Sequence, residues 1–128
     1  MNAQNTTGAA ILVLLGGTAI PLPNNQNLDG FTVNGANTIF TVPSTGTYLV
    51  TYQLNVTLAL LMSARVTRNG TAIPGSVFSP AVSVSAYTAT TILTLNAGDQ
   101  LSLQFFGVAG TATLQDGAGA TLTVIRLA

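Results

Sequence analysis

From Tyr48 to Leu58 every even position is apolar or aromatic (Tyr48, Val50, Tyr52, Leu54, Val56, Leu58). The odd positions hold Thr51, Gln53, Asn55 and Thr57, with Leu49 the one exception. Side chains alternate faces along an extended chain, so a period of two specifies a strand with one face in a core and the other outside. No window of a dozen residues carries the 3.6-residue repeat of an amphipathic helix. Thr, Val and Ile recur throughout between Gly and Asn, which is strand-and-turn chemistry. The expected fold is all-β, a two-sheet antiparallel jelly-roll sandwich of about eight to ten strands, in a single domain spanning the whole chain, residues 1–128.

The other strands follow from the same alternation. Met62–Thr67 places Met62, Ala64 and Val66 on one face, and Asn69-Gly70 then supplies the two positive-φ positions of a tight hairpin. The return strand Thr71–Val77 contains Pro74, which cannot donate to a ladder and so marks an edge or a bulge. Val82–Leu95 changes apolar parity midway, the mark of a bulge or of two short strands. Leu101, Leu103 and Phe105 alternate after the Asn96–Asp99 turn and leave Phe106 on the outer side. Gly107–Gly110 and Asp116-Gly117-Ala118-Gly119 read as hairpin turns around Thr111–Gln115. In the last strand, Thr121–Leu127, Leu122 and Val124 take the core side while Ile125 and Leu127 face away. Towards the amino terminus, Met1–Thr7 reads as a flexible lead-in and Asn24–Asn27 as a loop, with strands at Ala9–Leu15, Thr18–Leu22 and Thr38–Val42.

Charge is where the chain departs most from an ordinary soluble domain. Arg65, Arg68 and Arg126 are the only cations and Asp29, Asp99 and Asp116 the only anions, 5% of residues against ~25% on average. Three cations and no net charge cannot neutralise a nucleic-acid backbone or dock on an anionic membrane. The apolar run Gly8–Ile20 lacks a basic flank and is interrupted by Gly16-Gly17, so neither membrane insertion nor a signal segment fits it. A strand buried on both faces does. The final stretch Val124–Leu127 is apolar on both faces as well. A two-sheet sandwich buries only one face per strand, so the second face is expected to meet a symmetric copy of the chain. The expected contact residues are Ile11, Val13 and Leu15 from one strand, Phe106, and Ile125 and Leu127 from the other.

With no His, Cys, Lys or Glu, the chain lacks the usual general base near neutrality, a thiolate or amine nucleophile, and zinc ligands. Ser44, Ser76 and Ser79 have no His partner for a triad. The Gly-rich stretches are followed by no helix and no Lys, so phosphate-cradling readings fail. Asp29, Asp99 and Asp116 sit in turn contexts without a second carboxylate within five residues, which suits backbone capping better than calcium. Arg65 and Arg68 are expected to be solvated edge charges near a hairpin tip. No enzyme and no cofactor are expected.

The segment Phe40-Thr41-Val42-Pro43-Ser44-Thr45-Gly46-Thr47-Tyr48 resembles the complement/tumour-necrosis-factor superfamily of trimeric jelly rolls. There an aromatic residue, Val-Pro and Gly-x-Tyr open a long central strand. Asn69-Gly70 with Ile73-Pro74-Gly75-Ser76 resembles the next hairpin of that family, and Leu95–Leu101 its Gly-Asp turn. Within the superfamily, the uncharged Thr/Ala/Gly/Val texture is most similar to the carboxy-terminal domains of BclA-type bacterial collagen-like exosporium glycoproteins. The ending Val124-Ile125-Arg126-Leu127 departs from the Phe-x-Gly end of the animal branch, so receptor roles do not carry over. The resemblance implies a homotrimer whose inner sheet holds Ala9–Leu15, Tyr48–Leu58, Val82–Leu95 and Thr121–Leu127. It further implies a structural head at the end of a collagen-like stalk joined upstream of residue 1, displayed outside the cell on a spore. A host-surface or exosporium partner would come with that display. A receptor- or carbohydrate-binding tip of a fibre or adhesin is the competing expectation.

Overall fold

The computed structural model describes every residue from Met1 to Ala128 and contains strands, turns and no helix. In chain order the strands are β1 (Asn2–Thr7), β2 (Ala10–Val13), β3 (Thr18–Ala19), β4 (Asn24–Asn27), β5 (Thr32–Val33), β6 (Phe40–Thr41), β7 (Gly46–Leu60), β8 (Ser63–Arg68), β9 (Thr71–Ala72), β10 (Val84–Leu95), β11 (Gln100–Phe106), β12 (Gly110–Thr113) and β13 (Asp116–Arg126). One sheet has the order β10-β7-β13-β1-β4. A second runs β5-β6-β11-β8-β9 with β3 also on β11, and β12 pairs with β2 alone. Every pairing is antiparallel. This is the all-β sandwich that the alternation specifies.

The core lies between the two large sheets and holds 28 buried apolar residues. The even positions of β7 from Tyr48 to Val56 supply five of them, none more than 2% exposed, as their period of two requires. Tyr87 sits at the centre, edge-on to both Phe78 and Phe105 with centroids 5.5 Å away in each case. These are favourable aromatic geometries. The phenols of Tyr48 and Tyr52 donate to the carbonyls of Ser44 and Ser76, each at 2.6 Å, so the buried rings leave no polar atom unpaired.

The Asn69-Gly70 hairpin forms as expected, with φ of 52° and 83°. A Cβ on Gly70 would meet nothing within 4 Å, so the cost of Gly70→Val is purely that of a β-branched residue at positive φ. A loss of more than ~1 kcal/mol is expected, read as a lowered midpoint in chemical unfolding. An unchanged midpoint would mean that the turn tolerates another backbone geometry.

Four sequence expectations fail for identifiable reasons. Asn2–Thr7 is not a lead-in. It is an internal strand between β13 and β4, with Ala3 and Asn5 buried and Met1 in the core. Asn24–Asn27 is not a loop but the edge strand beside it. The stretch Asp116–Gly119 is not a hairpin turn: it opens β13 as a bulge, because Asn5 pairs with Ala120 and Thr7 with Asp116, so two steps on β1 span four on β13. Gly119 is needed there, since a Cβ would lie 2.6 Å from both the Gln115 carbonyl and the Leu114 side chain. Finally, Ala10–Val13 does not join the sheet of β7, β10 and β13 but pairs with β12 across one end of the sandwich.

Candidate functional site

The outward face of the five-stranded sheet is built by residues that alternate with the core positions of β7, β10, β13 and β1. Register aligns them into rows. Ile92, Leu49 and Ile125 lie side by side on β10, β7 and β13. The next row reads Thr90, Thr51, Thr123, Asn2 and Asn27, and the one after it Thr88, Gln53, Thr121, Gln4 and Asn24. The polar rows are tied together: Thr51 and Thr90 hydroxyls lie 2.8 Å apart, Thr123 donates to Asn2 Oδ1 at 2.7 Å, and Gln4 Nε2 donates to Thr121 Oγ1 at 3.0 Å. A shallow groove of about 450 Å³ runs over Thr51, Gln53, Thr88, Thr121 and Thr123. None of the residues in these rows is ionisable.

The structure separates the six expected contact residues. Ile11 (6% exposed) and Val13 (0%) are buried in the protomer's own core, so they are not surface at all. The exposed side of that stretch is Leu12, Leu14 and Leu15. Leu15 and Phe106 lie at the end of the sandwich where β8 and β12 begin, with Leu15 O accepting from Gly107 N and Phe106 opposite Ser63. Phe106 is capped by Arg65, whose guanidinium carbon is 4.0 Å from the ring centroid. Ile125 and Leu127 are exposed at the opposite end, beside Thr47 and Leu49. The signal for Leu49 was present, as the one apolar residue on the polar side of its strand. Ile92 had none, because a register irregularity between Val84 and Ala86 hides the parity of β10.

The three arginines and Asp99 are engaged within the protomer. Arg65 donates to Gln104 Oε1 and the Gly16 carbonyl, each at 3.2 Å, and Arg126 to Ser44 Oγ and the Thr45 and Ala128 carbonyls. They are therefore tethered, not freely solvated. Arg68 pairs with Asp99 at 2.8 Å. Asp99 also caps the Asn96 amide at 2.8 Å and accepts from Asn69 Nδ2 at 3.1 Å. Burial pushes its carboxyl up, but these bonds and the Arg68 charge outweigh that and hold it below the usual carboxylate range. A depressed folded value means that the stabilisation is complete above the unfolded carboxylate value, ~3.9, and is lost as pH falls through it towards the folded one. Acid unfolding monitored by circular dichroism should thus be shallower below pH ~4 in Asp99→Asn than in the parent; parallel curves would rule the group out. No three acidic side chains stand together in a metal-holding cluster.

Comparison with known proteins places this architecture. The fold is similar to that of Eiger TNF from S. frugiperda, with TM-score 0.65 and 18% identity over 99% of this chain and 90% of that one. It is also similar to rabbit GITRL, with TM-score 0.59 and 15% identity over 77% of each chain. Pika GITRL gives 0.55 and 16% identity over 77% of this chain and 84% of that one. These likenesses establish a tumour-necrosis-factor-like jelly roll. No curated protein matches the sequence. The BclA C-terminal domain family, however, matches residues 1–128. The whole chain thus belongs to the family of BclA C-terminal domains.

Proposed function

We propose that this domain is a non-catalytic structural head that assembles as a homotrimer and caps a collagen-like filament on the exosporium of a spore. The observation that carries the reading is the uncharged outward face of the five-stranded sheet, with its apolar row Leu49, Ile92 and Ile125 (58% and 46% exposed for the two isoleucines). A copy of the same face can approach the rows on β10, β7 and β13 without burying an ionisable side chain of those rows, and the apolar row supplies the hydrophobic contact. The charges of Asp29 and the Met1 amino terminus lie at the β1 side of Ile125. Hydroxyls and amides in the neighbouring rows bond across strands, which lowers what burying them costs. Met1 and Ala128 both lie at the Ile125 end, against Val124 and Thr47 respectively, so a stalk joined at the amino terminus enters beside the contact. Three chains gathered there would be held in register for a triple helix.

Size-exclusion chromatography with light scattering tests this directly. A species of three times the 13.0 kDa chain mass is expected at micromolar concentration, unchanged by chelator. A monomer would overturn the reading.

A further inference from the structure

The second sheet carries a hollow that self-association through the first does not use. Thr67 on β8 is paired with Ser102 on β11. Both point to the solvent side of their sheet, since Val66, Leu101 and Leu103 take the core side, yet they are only 2% and 7% exposed. Gln100 and Gln104 flank Ser102 along its own strand, Thr38 and Ile39 stand across from it, and together these residues line a space of about 200 Å³. Ser102 Oγ is the one buried side-chain polar atom of the molecule without a hydrogen-bond partner. An unpaired buried hydroxyl is costly, so Ser102 Oγ has a bond to offer to a ligand hydroxyl or a water entering the hollow.

We propose that this hollow binds one ring of a neutral sugar. Three hydroxyls (Thr38, Thr67, Ser102) and two carboxamides (Gln100, Gln104) offer donors and acceptors together, which is what a polyhydroxylated ligand requires. Ile39 and Ala19 add apolar contact for ring C–H groups. No charged side chain lines the hollow to pair with an anionic ligand: Arg65 is turned to Gln104 Oε1 and the Phe106 ring, and Arg68 is paired with Asp99. The space is below the usual ~300–1,000 Å³ of drug-sized sites, so a single ring is the fitting size. The hollow lies on the other sheet from the proposed trimer contact, so it stays open in the assembled protein, and its test reads separately from light scattering.

The experiment is an amide NMR titration of the intact protein with D-glucose, D-galactose, D-mannose and N-acetyl-D-glucosamine, with glucuronate as the charged control. At least one neutral sugar is expected to give saturable shifts at Ser102, Thr67 and Gln100, with glucuronate weaker. Ser102→Ala and Gln100→Ala should each weaken binding about fivefold or more, while the melting temperature of Ser102→Ala is not lowered. The proposal is overturned if no neutral sugar shifts these amides at about 50 mM, well above the millimolar Kd expected of so small a site. Shifts centred elsewhere, or binding that survives both substitutions, overturn it equally, and the hollow then holds water only.

Discussion

Ile125→Asp is expected to leave the protein as monomer or aggregate, in place of the trimer proposed for the parent. Ile125 is 46% exposed on the free protomer and stands beside Leu49, while its neighbours Leu122 and Val124 are fully buried in the core. Its side chain is therefore not needed to fold the protomer, and the substitution acts on the outward face alone. Three-fold assembly would bring three carboxylates together in a desolvated contact, while the nearby Arg126 is held on its own protomer by Ser44 and Thr45. Desolvating each costs several kcal/mol, and their repulsion adds to it, against a total stability of only ~5–15 kcal/mol. Thr71→Asp, exposed on the far sheet, is the control and should remain trimeric. Light scattering decides the matter: a fully stable Ile125→Asp trimer would place the contact on another surface.

The second large effect separates two adjacent residues. Val13→Asp should abolish folding, whereas Leu12→Asp should leave the unfolding midpoint almost unchanged. Val13 is 0% exposed and Leu12 67%, although both belong to the same four-residue strand. Burying an unpaired carboxylate at Val13 costs about 4 kcal/mol or more, by desolvation and lost packing together. At Leu12 the carboxylate stays in water, where surface changes shift stability by ~0.5 kcal/mol or less. Urea unfolding of the two variants measures the difference. Equal destabilisation would show that β2 is packed with the opposite parity.

This pair also shows where local sequence runs out. In Ala9–Leu15 every residue is apolar, so a period of two carries no phase and cannot say which face turns inward. Pairing with β12, a hundred residues away, sets it: Ile11 opposite Ala112 and Val13 opposite Gly110 go to the core. Likewise, nothing in Met1–Thr7 marks a strand locally, because the long-range partners of its polar side chains lie at Thr121, Thr123, Pro21 and Asn25. Asp116–Gly119 reads as a turn by composition, and only its register with β1 makes it a bulge.

What the sequence determined alone was whatever neighbouring residues settle between themselves. The alternation of Tyr48–Leu58, the positive-φ turn at Asn69-Gly70, and the outward parity of Ile125 against Val124 all belong here. Each depends on backbone geometry or residue chemistry within a few positions. The tertiary structure decided which strands meet, and therefore which apolar residues share a surface. It split Ile11 and Val13 from Ile125 and Leu127, aligned Leu49 with Ile92 and Ile125, and sank Ser102 beside Thr67. Strand pairing joins residues far apart in the chain, and its free energy comes from faces that exist only once the sheets have formed.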